Sequence, residues 1–72
     1  MTTNMQKLRN HNNAQVRLFA ETITSLSVSQ GFYGRLCRDI DQYSEADLDN
    51  LIQDLSEHRF KDAVDVVLWL ET

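Results

Sequence analysis

The fold of this chain depends on the path taken through residues 29–40, which read SQGFYGRLCRDI. This stretch holds both glycines and the single cysteine of the 72 residues, and it lies between segments with helical periodicity. A glycine inside a helix costs about 1 kcal/mol relative to alanine. The stretch therefore decides whether one long helix or two shorter ones precede the acidic second half of the chain.

The segment before this stretch has the pattern of an amphipathic helix. It begins near Ala14, with Asn13 as the predicted N-cap. Apolar side chains then recur at spacings of three and four residues: Val16, Phe19, Ile23 and Leu26. The same spacing continues to Ile40, so a single uninterrupted helix is one alternative.

A break between Ser27 and Phe32 is the alternative that we favour. An uninterrupted helix of about 28 residues would be about 42 Å long, which is more than the later helices could cover. Gly31 would then be the C-terminal residue of the first helix, in a positive-φ conformation. After the break, the apolar side chains of Phe32, Leu36 and Ile40 predict a second helix that ends near Gln42.

Two further helices are predicted in the second half. Ser44 is a good N-cap for a helix that ends around His58 and Arg59, with a regular apolar face: Leu48, Leu51, Ile52 and Leu55. Asp62 is the predicted cap of a last helix that is apolar on almost all sides. Such a helix lies either at the centre of a core or against another subunit.

We therefore predict an all-α bundle of three or four short helices, formed by residues 14–72 as one domain. The last helix and the face formed by Phe32, Tyr33 and Leu36 are expected at its core. Residues 1–13, rich in asparagine, are predicted to be a flexible arm, with a short helix over residues 4–10 as the alternative.

The composition limits what can stabilise this domain. A chain of 72 residues buries only about 60% of its unfolded surface. Cys37 has no cysteine partner, and with only His11 and His58 it cannot complete a zinc site. No cofactor is predicted. No apolar run approaches the ~20 residues that cross a bilayer, and the single free thiol is typical of the cytoplasm.

Charge is distributed unevenly along the chain. Residues 1–38 carry five basic side chains and one acid, whereas residues 39–72 carry ten acids and two basic side chains, within a net charge of −4. We expect the two halves to neutralise each other within the bundle, with salt bridges from Arg35 and Arg38 to the helix of residues 45–57. The alternative is an acidic outer face that meets a basic partner.

No pattern of catalytic residues is present. A calcium loop that begins at Asp39 would need glycine at Ser44 and glutamate at Asn50, and residues 31–34 lack the lysine of a phosphate loop. Cys37 could be a nucleophile beside Arg35 and Arg38, but its position on the apolar stripe favours a buried structural role. His11 and His58 are interpreted as surface or helix-end residues.

Two motifs resemble a family of small proteins encoded by bacteriophages and prophages, whose activity is not established. They are SQGFYGRL at residues 29–36 and FKDAVDVV at residues 60–67, and the resemblance covers about residues 28–71. Ala63 departs from the pattern, because proline is frequent there in the family. The resemblance implies a phage-type accessory protein in the cytoplasm of a bacterial host, and it brings no activity or site residues.

The function expected from these observations is a non-enzymatic protein–protein interaction module, with a host or phage protein as partner and a homodimer as a further expectation. The less favoured alternative is a nucleic-acid-associated regulator that uses Arg17, Arg35 and Arg38, because one arginine pair on an acidic chain offers few phosphate contacts. The candidate interaction surface comprises Tyr33, Arg35, Arg38, Glu45, Asp49 and Trp69.

Overall fold

The computed structural model describes residues 2–72, and every regular element in that range is an α-helix. The helices are α1 (Asn4–Arg9), α2 (Ala14–Ser27), α3 (Gly31–Asp41), α4 (Glu45–Ser56) and α5 (Ala63–Glu71). The all-α prediction is confirmed, although the helices number five rather than three or four. None of them is both long and apolar enough to cross a membrane.

The predicted helix starts are confirmed in the second half of the chain and at α2. Asn13 accepts hydrogen bonds from the N–H groups of Gln15 and Val16, at 2.7 and 3.4 Å. Ser44 and Asp62 each accept one from the third residue of α4 and of α5. α4 ends at Ser56, two to three residues earlier than predicted.

The predicted break before Phe32 is also confirmed, but the predicted role of Gly31 is wrong. α2 ends at Ser27, and Gly31 is the first residue of α3 instead of the end of α2. Neither glycine has a positive φ. Residues 28–30 make the turn without a left-handed residue, and the N–H groups of Ser29 and Gln30 donate to the carbonyl of Leu26.

α2 is the central helix, which differs from the predicted core. It packs against all four other helices, and it supplies five buried residues: Val16, Phe19, Ala20, Thr22 and Ile23. α5 was expected at the centre, yet only Val66 of that helix is fully buried. Phe32 was also expected in the core, but 47% of its surface is exposed.

Residues 4–9 form a packed helix where a flexible arm was the favoured expectation; Met1 lies outside the described residues. Met5 and Leu8 of α1 are buried in the core. The Asn4 side-chain amide donates to the carbonyls of Ile40 (2.8 Å) and Tyr43 (3.1 Å). In return, the Asp41 carboxylate accepts from the N–H of Met5 at 2.9 Å. The start of α1 and the end of α3 thus satisfy each other's free backbone groups.

A second pair of hydrogen bonds fixes the connection between α4 and α5. The Gln15 side chain accepts from the N–H of Phe60 at 2.6 Å and donates to its carbonyl at 3.3 Å. This joins α2 to the loop 45 residues later in the chain. The position of α5 is therefore set from α2 as well as by its own cap.

Candidate interaction surface

An apolar groove lies between α2 and α5 and has a volume of about 450 Å³. Its walls are one face of α2 and the first turns of α5: Leu18, Glu21, Thr22, Ser25, Leu26, Ala63, Val64 and Val67. Glu21 is the only ionisable side chain among them. The Thr22 hydroxyl is satisfied within α2, because it donates to the Leu18 carbonyl at 2.7 Å. The groove therefore offers a partner mainly apolar contact.

An exposed apolar ridge borders this groove on α5. Val64 and Leu68 are 62% and 56% exposed, and a spacing of four residues places them on one face of the helix. The apolar surface is defined here as the groove together with Val64 and Leu68. It explains why α5 is apolar on nearly all sides: Val66 enters the core, while the ridge faces outward.

The other face of α5 belongs to an aromatic cluster that anchors the helix. The Trp69 ring lies 6.1 Å from that of Phe19 and 5.6 Å from that of Phe60, centroid to centroid. The His58 ring stacks on Phe60 at 4.9 Å with an interplanar angle of 9°, and it lies 4.5 Å from Trp69. Such pairs contribute about 0.5–1.5 kcal/mol each beyond their burial. His58 lies just beyond the end of α4, and the sequence did not predict its packing against these rings.

The six residues predicted as an interaction surface do not form one surface. Tyr33 is 1% exposed and belongs to the core, and Trp69 is half-buried in the aromatic cluster. Arg35 and Arg38 are exposed on α3, and Glu45 and Asp49 are exposed on α4. None of the six lines the groove.

The expected salt bridges between the two halves of the chain are not formed. Within residues 2–72, the only contact of 4.0 Å or less between oppositely ionisable side chains joins His58 to Asp54, at 3.8 Å and within one segment of chain. Arg17, by contrast, is fixed by hydrogen bonds to the carbonyls of His11 and Asn12, at 2.7 and 2.8 Å. Arg35 and Arg38 therefore remain available to solvent.

Cys37 is placed for packing, and its surroundings do not activate it. Its side chain is half-buried, and its sulfur lies 3.8 Å from the Ile23 carbonyl, to which the thiol donates. Burial, followed by the neighbouring Asp41 carboxylate, raises the pKa of the Cys37 thiol, although a hydrogen bond with Ser27 opposes this. Since the thiolate is the reactive form, this environment disfavours nucleophilic chemistry.

The described residues contain no group of three or more His, Cys, Asp or Glu side chains that could hold a metal ion. Besides the apolar groove, a smaller polar depression lies between α1 and α2, lined by Gln6, Arg9, Asn10 and Glu21. The apolar surface thus remains the candidate site. Comparisons of the chain with protein-family models, with curated proteins and with solved structures gave no match.

Proposed function

We propose that this chain is a non-enzymatic protein–protein interaction module that binds another polypeptide at the apolar surface of α2 and α5. The observation that carries this proposal is the exposure of Val64, which lines the groove, and of Leu68 one turn further along α5. Apolar side chains exposed together at a concave site are typical of protein-binding surfaces. The sequence predicted that a helix apolar on almost all sides lies either at the centre of the core or against another subunit. Because α5 is not at the centre of the core, the second role is favoured.

The groove has the shape and chemistry for an amphipathic helix. From Leu18 to Leu26, its α2 wall extends about 12 Å, or roughly two helical turns at 1.5 Å per residue. A bound helix would place side chains at positions i, i+3 or i+4, and i+7 along that wall. Because Glu21 is the only ionisable lining residue, few charged groups would lose water on binding.

The biological setting in this proposal is that of a phage or prophage accessory protein in a bacterial cytoplasm. Its support is the resemblance carried by residues 29–36 and 60–67. A host or phage protein is accordingly the expected class of partner.

Site-specific photocrosslinking tests the binding surface. A photoreactive phenylalanine analogue in place of Val64 is expected to form crosslinks to a polypeptide, either a second copy or a protein of a bacterial extract. The same analogue at Val28, which is 89% exposed and does not line the groove, is the matched control. Ser25→Trp should fill the groove and abolish the Val64 crosslink. Equal crosslinking at both positions, or none at Val64, would contradict the proposal.

Nucleic-acid binding is a second candidate function, and Arg35 and Arg38 favour it. Both side chains are exposed and lie more than 4.0 Å from every carboxylate among residues 2–72. Phe32, one turn before Arg35, adds an exposed ring on which a base could stack. Arg17 contributes less than expected, because it is already hydrogen-bonded to two carbonyls. Binding that weakens steeply with salt and is lost in the Arg35→Ala/Arg38→Ala variant would support this candidate.

A further inference from the structure

We infer that the apolar surface binds a second copy of this chain, so that the Val64–Leu68 ridge of each copy enters the groove of the other. This inference rests on the proposed function and names its partner. A two-fold symmetric interface requires that one patch be complementary to itself. The apolar surface is suited to this requirement, because the ridge lies on α5, the helix that also forms one wall of the groove.

The distribution of charge permits contact between two copies at this surface. Each copy carries a net charge of −4, so most faces of two copies repel each other. The groove is an exception, because the acids concentrated in residues 39–57 do not line it and only Glu21 does. A pairing through α2 and α5 therefore brings together a groove with a single ionisable lining residue, Glu21, on each copy.

A second copy could add to the stability of the fold, because a domain this small has a limited core. Mini-proteins of this length commonly rely on disulfides, a structural metal or oligomerisation. Cys37 is the single cysteine, and no metal-binding cluster exists among the described residues. Burial of the ridge against another copy would remove exposed apolar area that the monomer leaves in water.

The available area predicts a weak, reversible dimer. At 1.5 Å per residue and about 10 Å of width, residues 18–26 of α2 and residues 63–68 of α5 present a face of roughly 200 Å² in projection. A standard interface buries about 800 Å² per partner. An interface well below the standard size is expected to be weak and reversible. The surface of one copy is 4860 Å², close to the ~4600 Å² expected of a compact folded monomer of this mass.

Sedimentation equilibrium from about 1 µM to 1 mM tests the inference. The average mass of the intact chain should rise from 8.4 kDa toward twice that value. Val64→Asp should raise the dissociation constant by at least about tenfold, since it places a charge in the interface. This variant should fold, because an acid is favourable in the first turn of a helix. Val28→Asp is the control and should dimerise as the unaltered chain does.

Three results would overturn the inference, and they separate it from the proposed function. A chain that stays monomeric at 1 mM but crosslinks at Val64 to a different polypeptide would overturn the second copy and leave the proposed function intact. A monomeric chain without any Val64 crosslink would overturn both. If the chain dimerises but neither Val64→Asp nor Val28→Asp changes the dissociation constant, the copies meet at another face.

Discussion

Replacing the two glycines of α3 by alanine is expected to stabilise the protein. Gly34 lies in the fourth position of α3, and a Cβ placed there would come no closer than 3.7 Å to its nearest neighbour, the Ser27 carbonyl oxygen. That is an ordinary van der Waals contact. A Cβ on Gly31 would meet nothing within 4 Å. Both glycines have negative φ, so alanine would strain neither backbone.

The expected gain in the free energy of unfolding follows from the helix propensities of glycine and alanine. Gly34→Ala should raise the free energy of unfolding by about 0.5–1 kcal/mol, the lower value applying if the new methyl group shields the Ser27 carbonyl from water. Gly31 is at the first helical position, where fewer backbone bonds depend on it, and Gly31→Ala should contribute about 0.3–0.5 kcal/mol. For a domain of this size, 1 kcal/mol corresponds to about 4–8 °C in Tm.

Urea denaturation followed by helical circular dichroism would measure both changes. With a slope of about 1 kcal/mol per molar urea, Gly34→Ala should move the midpoint up by roughly 0.5–1 M. Ala46→Gly, at an exposed position of α4, is the matched reverse control and should lower the midpoint. A loss of stability in Gly31→Ala would refute the reasoning, because a left-handed glycine at the end of α2 is the arrangement that alanine would destabilise.

Three further changes test other parts of the fold. Asp62→Ala removes the cap of α5 and should cost about 1 kcal/mol in thermal or urea unfolding, whereas Asp62→Asn should retain most of the stability; equal losses in both would contradict the capping role. Asn4→Ala breaks the two bonds to the end of α3 and should cost about 1–2 kcal/mol. Faster amide exchange at Leu8 would report this loss, and Asn12→Ala, at an exposed side chain, should leave that exchange unchanged. Cys37 should be alkylated by iodoacetamide at pH 8 more slowly in the folded chain than in urea, because burial raises its pKa. Since the folded state favours the neutral thiol, this group stabilises the fold below its unfolded pKa, and the stabilisation is lost as the pH rises through the folded value. Unfolding from pH 8 to 10, compared between the unaltered chain and Cys37→Ala, would show it, and equal pH dependence would contradict it.

The sequence predicted the start of a helix well where a single capping residue determines it. Asn13, Ser44 and Asp62 are caps whose hydrogen bonds reach only two or three residues along the chain. Such bonds can be predicted from a short window of sequence. The regular apolar spacing of α4 has the same local character.

Contacts between distant residues account for what the sequence did not predict. α1 is held by Asn4 and Asp41, which are far apart in sequence. One local signal was present nonetheless: Thr3 and Gln6 form a capping box, in which each side chain satisfies the other's backbone N–H. That pattern would have favoured the short helix over the flexible arm.

The candidate site was the least predictable feature for the same reason. Residue type favours Tyr33, Arg35 and Trp69 as interaction residues, but their exposure depends on which helices pack together. α2 rather than α5 is the central helix, and it buries even its small and polar residues Ala20 and Thr22. The spacing of Val64 and Leu68 on an apolar helix was the one sequence signal for the ridge.

The position of α2 also affects how the chain can change by mutation. A substitution at Phe19 or Ile23 alters a helix that packs against all four others. Such a substitution would therefore lower the stability of the whole bundle. α4 packs mainly against α2, and its outer positions, such as Glu45 and Asp49, are solvated. Related chains could therefore differ widely in the charge of α4 while the residues of α2 stay nearly fixed.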